Sequence, residues 1–158
     1  MTTLEKARLS VVLDDSNLRR ASSGRIVGPF FLRVGAVAFP DDGWTDFVDV
    51  VLTWWLHECM RALDGVDSIR LRFMDGDFEC RLVRAGEPDI YLITFVGGDR
   101  VVGTFDVTTT ALHLGSELAD ASARLLTACR VNRWIGREIE TLQESLAAMR
   151  RKIGHPSR

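Results

Sequence analysis

Between Trp44 and Val107 the chain switches hydrophobic period once and does not switch back, and that change limits the architectures open to it. Phe47, Val48, Val51, Leu52, Trp55, Leu56, Cys59, Met60 and Leu63 recur at three- and four-residue intervals. That spacing draws one broad apolar face and predicts a helix of about twenty residues. Asp41 or Asp42 is placed to cap it, Asp46 and Asp49 suit its electropositive start, and Gly65 stops it. Four alternating segments follow: Ser68 to Phe73, Phe78 to Arg84, Ile90 to Val96 and Arg100 to Val107. Asp75-Gly76 separates the first two and Gly97-Gly98-Asp99 the last two, both sequences that favour the positive φ of a tight hairpin turn. The segments therefore read as an antiparallel meander. Its first strand alternates Ile69, Leu71 and Phe73 with Arg70 and Arg72, so one face meets a core and the other meets water.

The flanks complete the outline. Leu9 to Leu13 reads as a short strand ended by Asp14-Asp15-Ser16-Asn17. Ile26 to Phe39 is a second apolar run broken by Gly28-Pro29 and Gly35; lacking a donor at Pro29, this strand is expected to begin after it or to lie at an edge. From about Thr110 the chain becomes helical, and Ala121, Leu125, Ala128, Asn132, Ile135, Ile139, Leu142, Leu146, Met149 and Ile153 form a heptad-like seam. A break near Val131 to Arg133 would divide it into two helices; without the break it is one rod. The seam is expected to cover the open face of the meander, or else to pair with a second copy. Altogether the sequence predicts a single α+β domain over residues 1–158, with 1–8 and 154–158 frayed. In it an antiparallel sheet of two amino-terminal strands plus the four-strand meander is packed by one central helix and a carboxy-terminal helix or helix pair.

The residues offer little chemistry. His57 lies two positions from Cys59, which sets the side chains about 200° apart on a helix and unfit to share a metal. His113 and His155 are isolated. No H-E-x-x-H, G-x-S-x-G, P-loop or G-x-G-x-x-G occurs, and Asp75, Asp77 and Glu79 do not supply the twelve-residue ligand spacing of an EF-hand. Asp77 and Glu79 on a strand would share a solvated face with nothing to tune a pKa. No cofactor, metal or catalytic set is therefore expected. The basic residues of the tail, Arg124, Arg130, Arg133, Arg137, Arg150, Arg151 and Lys152, are interrupted by Glu138, Glu140 and Glu144 and do not form a phosphate-tracking stripe. Cys59, Cys80 and Cys129 are odd in number and widely spaced, and neither a leader pattern nor a long apolar span is present, so a cytoplasmic protein is expected.

The charge distribution is more informative than its total of −2. Residues 1–40 carry a net +3, residues 41–120 a net −10 and residues 121–158 a net +5. A clustered field steers association where interspersed charges cancel. The acids concentrate near turns: Asp41 and Asp42 before the long helix, Asp75, Asp77 and Glu79 around the first hairpin, Glu87, Asp89 and Asp99 in connections. If Asp41, Trp44, Asp75 and Asp99 meet at one end, they form an acidic rim with an aromatic anchor, suited to a basic protein surface.

Three stretches carry a resemblance: Phe39-Pro40-Asp41-Asp42-Gly43-Trp44-Thr45-Asp46-Phe47, then Leu52-Thr53-Trp54-Trp55, then Phe73-Met74-Asp75-Gly76 with Phe78. Together they span about residues 29–84. The pattern resembles a group of small bacterial proteins associated with polymorphic and Rhs-type toxins and regarded as immunity proteins. Asp77 stands where the pattern has a proline after the Asp-Gly turn, which adds one more acid. The resemblance implies a cytoplasmic protein that binds a cognate toxin tightly and blocks its active site. Its candidate toxin-binding residues are Asp41, Asp42, Trp44, Asp75, Asp77, Glu79 and Asp99, and its partner a toxin with a basic active-site cleft. Neither nucleic acid nor membrane is an expected partner. The alternative expectation is a non-catalytic adaptor or chaperone using the carboxy-terminal seam, as a homodimer; an enzyme ranks behind both.

Overall fold

The amino-terminal half is organised around one long strand that changes neighbours along its length. The computed structural model describes residues 8–86 and 90–154, with the side chains of 106–108 outside that description. β1 (Leu9–Leu13), β2 (Arg19–Arg20), β3 (Ile26–Val34), β4 (Val37–Phe39) and β5 (Thr45–Phe47) form one antiparallel sheet in which every other strand pairs with β3. β1 covers Phe30 to Val34 and β2 covers Ile26 and Val27; on the opposite flank β4 covers Leu32 to Val34 and β5 covers Val27 to Pro29. Pro29 therefore lies within a central strand, against expectation. Phe30 N–H donates to Trp44 O at 2.7 Å, whereas the Pro29 carbonyl accepts from Asp14 N–H at 3.1 Å on the other flank. The donor that proline lacks would point to the gap where β1 gives way to β2, so no ladder bond is lost.

β5 runs straight into α1 (Val48–Leu63), which is shorter at its start than the periodicity predicts. Thr45, Asp46 and Phe47 pair with Pro29, Gly28 and Val27. Asp41 and Asp42 thus lie in the loop before β5 and do not cap α1, whose first residue follows Phe47 with no side-chain cap. The expected stop is present: Gly65 has φ +100°, and the N–H groups of Gly65 and Val66 donate to Ala62 O and Arg61 O, a Schellman closure.

β6 (Ser68–Arg72), β7 (Phe78–Arg84), β8 (Ile90–Gly97) and β9 (Arg100–Thr110) form the meander, in that order and antiparallel throughout. The first turn is wider than a two-residue hairpin: Phe73 N–H donates to Phe78 O at 3.1 Å, enclosing residues 74–77, and Gly76 alone takes positive φ (+82°). In the β8–β9 turn Gly98, at φ +59°, plays that part. Two sheets thus replace the single sheet expected, within the same α+β class.

The tail divides into α2 (Ala111–Asn132) and α3 (Arg137–Gly154). Thr110 Oγ1 caps α2 by accepting from His113 N–H, and Arg133 ends it in the left-handed region at φ 58°. Ala121, Leu125, Ile139, Leu142, Leu146 and Met149 of the seam are buried, while Asn132 and Ile135 are exposed. The helices pack mainly on α1 and each other, with α2 also over β1. The expectation that they cover the meander is corrected: that role falls to α1, alongside β6, and to the amino-terminal sheet. Phe39 of β4 stacks on Phe95 at 4.3 Å and meets Phe73 and Phe78 edge-on, and Trp55 meets Phe30 and Phe73. These contacts join both sheets and α1, and the same buried apolar cluster takes in Leu118 and Leu125 of α2 and Leu142 and Met149 of α3.

Candidate binding surface

One buried carboxylate ties the loops at the end of the two sheets. Asp46, only 1% exposed, stands on β5 and accepts from Phe47 N–H (2.7 Å), from Trp44 Nε1–H (3.1 Å) and, with both oxygens, from Asp75 N–H (3.2 Å). Burial raises its pKa above the usual 3.8, and those donors only partly oppose the shift. Trp44 meets Phe78 edge-on at 5.2 Å, and its own N–H donates to Asp41 O at 3.2 Å. Gly98 N–H donates to Asp77 O at 2.7 Å, drawing in the β8–β9 turn. Packing reinforces these bonds: a Cβ on Gly76 or Gly97 would come within 2.9 or 3.0 Å of the Phe78 ring.

Asp41, Asp42, Trp44, Asp75, Asp77 and Asp99 are thereby gathered at one end of the molecule. Among the described residues, Asp41, Asp75, Asp77 and Asp99 are exposed and make no ion pair, while Asp42 pairs with Arg33 at 3.2 Å. Other acids of the 41–120 segment are matched locally: Glu58 with Arg61, Asp64 with Lys152, Asp67 with Arg84 and Asp120 with Arg124. Among the described residues of that segment, Asp41, Asp75, Asp77 and Asp99 are thus the exposed acids left without an ion pair, and all four lie at this end. Trp44 is half-buried and its indole N–H is committed to Asp46, so it presents a ring edge more than a free anchor. Glu87 and Asp89 lie outside the described residues.

Glu79 does not belong to this rim. It projects onto the outer face of the meander, its side chain 14% exposed, with Arg81 at 2.8 Å, Arg72 at 3.8 Å and Arg70 at 4.0 Å. The register explains this, since Arg72 pairs with Glu79 and Arg70 with Arg81 across β6 and β7. Trp54, 42% exposed on α1, stands beside Arg70 and Arg72. The sequence reading passed over this arginine–tryptophan group, although folding the two strands about Asp75-Gly76 would have paired the same residues.

The groups considered for catalysis have structural partners. His57 Nε2 lies 3.2 Å from Ser145 Oγ, and His113 Nε2 lies 3.2 Å from Leu9 O. Burial pushes the thiols of Cys59 and Cys129 up to about 12 and about 11, and that of Cys80 upward as well. Among the described residues no three His, Cys, Asp or Glu side chains are grouped to hold a metal ion, and no helix is long and apolar enough to cross a membrane. No protein-family model, curated protein or solved structure matches the chain.

Proposed function

We propose that this chain is a toxin-neutralising protein that captures a basic surface of its cognate toxin with the three-loop acidic end and so occludes the toxin's active site. The observation that carries the reading is the gathering of Asp41, Asp75, Asp77 and Asp99, without cationic partners among the described residues, on loops fastened by Asp46. Proteins rarely hold like charges together at no gain in stability, whereas such a field speeds encounter with an oppositely charged cleft. A pre-fastened surface also loses little entropy on docking. The resemblance over about residues 29–84 supports the same reading, because Phe39 to Phe47 and Phe73 to Phe78 are the segments that build this end. An adaptor working through the helical seam has less support, since most of the seam's apolar residues are spent inside the chain.

The test is co-expression and co-purification with the protein encoded immediately upstream, followed by stopped-flow association. Replacing Asp75 and Asp77 by Lys should slow association about ten-fold at low ionic strength and flatten its salt dependence, with the folded state unchanged. A complex whose association rate ignores both substitutions would remove the acidic end from the mechanism. An upstream protein that forms no complex and has no toxicity would sink the function itself.

A further inference from the structure

The arginine–tryptophan group beside β6 has features that Glu79 alone does not explain. β6 is an outer strand of the meander, pairing only with β7 among the described residues. Phe73 N–H donates to Phe78 O and Arg84 N–H to Asp67 O, so the backbone groups of the odd-numbered positions 67 to 73 face β7. In an antiparallel ladder the intervening residues then turn theirs to the open side: N–H and C=O of Arg70, and both groups of Arg72. Arg72 O is already taken by Trp55 Nε1–H at 2.7 Å, which leaves an amide pair at Arg70 and an N–H at Arg72 along the edge.

The side chains around that edge are of one character. Arg70 and Arg72 are 50% and 65% exposed and approach Glu79 only through Nε, at 4.0 and 3.8 Å, so their terminal nitrogens have no acceptor among the described residues. Glu79 is committed to Arg81, and Glu58 to Arg61. Trp54 supplies a flat apolar wall, and Trp54, Glu58, Arg70 and Arg72 line a groove of about 230 Å³. Tryptophan and arginine are the residue types that most often anchor protein interfaces.

We propose that this groove between α1 and the edge of β6 binds an extended acidic segment of a partner protein, adding it as a strand to the meander. The open backbone groups supply ladder bonds, and carboxylates at alternate positions meet the two unfilled guanidiniums. A polypeptide is favoured over nucleic acid because a peptide backbone alone supplies, at strand spacing, both a donor for the Arg70 carbonyl and acceptors for the Arg70 and Arg72 N–H groups. The surface is distinct from the acidic end and takes the opposite charge.

The probe is a fluorescein-labelled peptide of about ten residues alternating Glu and Val, titrated by anisotropy at low ionic strength. Arg70→Glu and Trp54→Ala, each checked for native circular dichroism, should weaken binding at least about ten-fold, while Asp75→Lys with Asp77→Lys causes no loss. In the wild-type protein, the peptide should slow hydrogen exchange at the Arg70 amide about ten-fold, a readout independent of any substitution. Binding indifferent to Arg70→Glu, or an Arg70 amide whose exchange the peptide leaves unchanged, overturns the proposal. So does a labelled oligothymidine that binds as tightly and is lost with Arg70→Glu, which would assign the groove to nucleic acid. Concentration-dependent dimers in light scattering, abolished by Arg70→Glu, would assign it to the acidic loops of a second copy and also overturn the proposal.

Discussion

Removing the Asp46 carboxylate should loosen the acidic end more than any other single change there. Asp46→Ala leaves Trp44 Nε1–H and Asp75 N–H without their acceptor in a site that is 1% exposed. Hydrogen bonds to a charged group contribute about 1.5–3 kcal/mol each, so the bonds from Trp44 and Asp75 together account for about 3–6 kcal/mol. Deleting a buried carboxylate also removes its desolvation cost, which the raised pKa shows to be incompletely offset. The net loss should be about 2–4 kcal/mol, read from urea unfolding at constant m-value. Asp46→Asn retains one acceptor but turns an amino group toward a donor, and should cost about 1–2 kcal/mol.

The pH dependence gives an independent check with a defined sign. A folded-state pKa above 3.8 means that ionisation of Asp46 opposes folding. That penalty is present at neutral pH and is relieved as pH falls through the raised pKa toward the ordinary value. Asn cannot titrate, so the stability gap between wild type and Asp46→Asn should widen on going from neutral to mildly acidic pH. An Ala variant within about 0.5 kcal/mol of wild type would refute the fastening role. A gap that narrows in acid would place the folded pKa below 3.8 and refute the burial argument.

Other consequences of the fold are open to measurement. Ile139→Glu and Leu146→Glu place a charge at positions 6% and 3% exposed against α1, and each should unfold the chain or lower its stability by at least about 3 kcal/mol in chemical denaturation; a folded variant with unchanged midpoint would show that the seam is not core. Arg133→Gly relieves a non-glycine residue at φ 58° and should add about 0.5–1 kcal/mol, an effect absent if another residue sets that corner. With Cys59 and Cys129 pushed up to about 12 and about 11, native protein at pH 8 should react with a thiol reagent only as fast as it opens; stoichiometric burst labelling would contradict their burial.

The meander and the long helix were legible because their burial is one-sided and their periods are unmixed. Arg70 and Arg72 alternate with Ile69 and Leu71 in sequence as they do in space. The start of α1 was misread because Trp44 to Phe47 satisfies both periods over so short a run, and pairing with β3 decided between them. Pro29 misled for a related reason: the rule against proline in a central strand assumes continuous neighbours on both flanks, and β3 exchanges β1 for β2 at that point. The partition of the acids was the least visible feature. Asp77 and Glu79 are two residues apart, yet one lies in the turn beside Gly98 and the other on a strand face among arginines. Only the point where the turn ends and the ladder begins separates those fates.

Both charged surfaces depend on that same hairpin. The residues enclosed between Phe73 and Phe78 set the register that puts Arg72 opposite Glu79, and the same loop presents Asp75 and Asp77. A slip of one residue would turn Arg70 and Arg72 into the core and Ile69 and Leu71 outward, so the register is strongly specified by burial. Gly76, at φ +82° with the Phe78 ring 2.9 Å from where its Cβ would be, leaves little freedom within the loop, and Asp46 holds it from outside. The acidic end and the arginine groove are therefore opposite products of one turn. A change that shifts the turn should disturb both, whereas a charge substitution on either surface should leave the other intact.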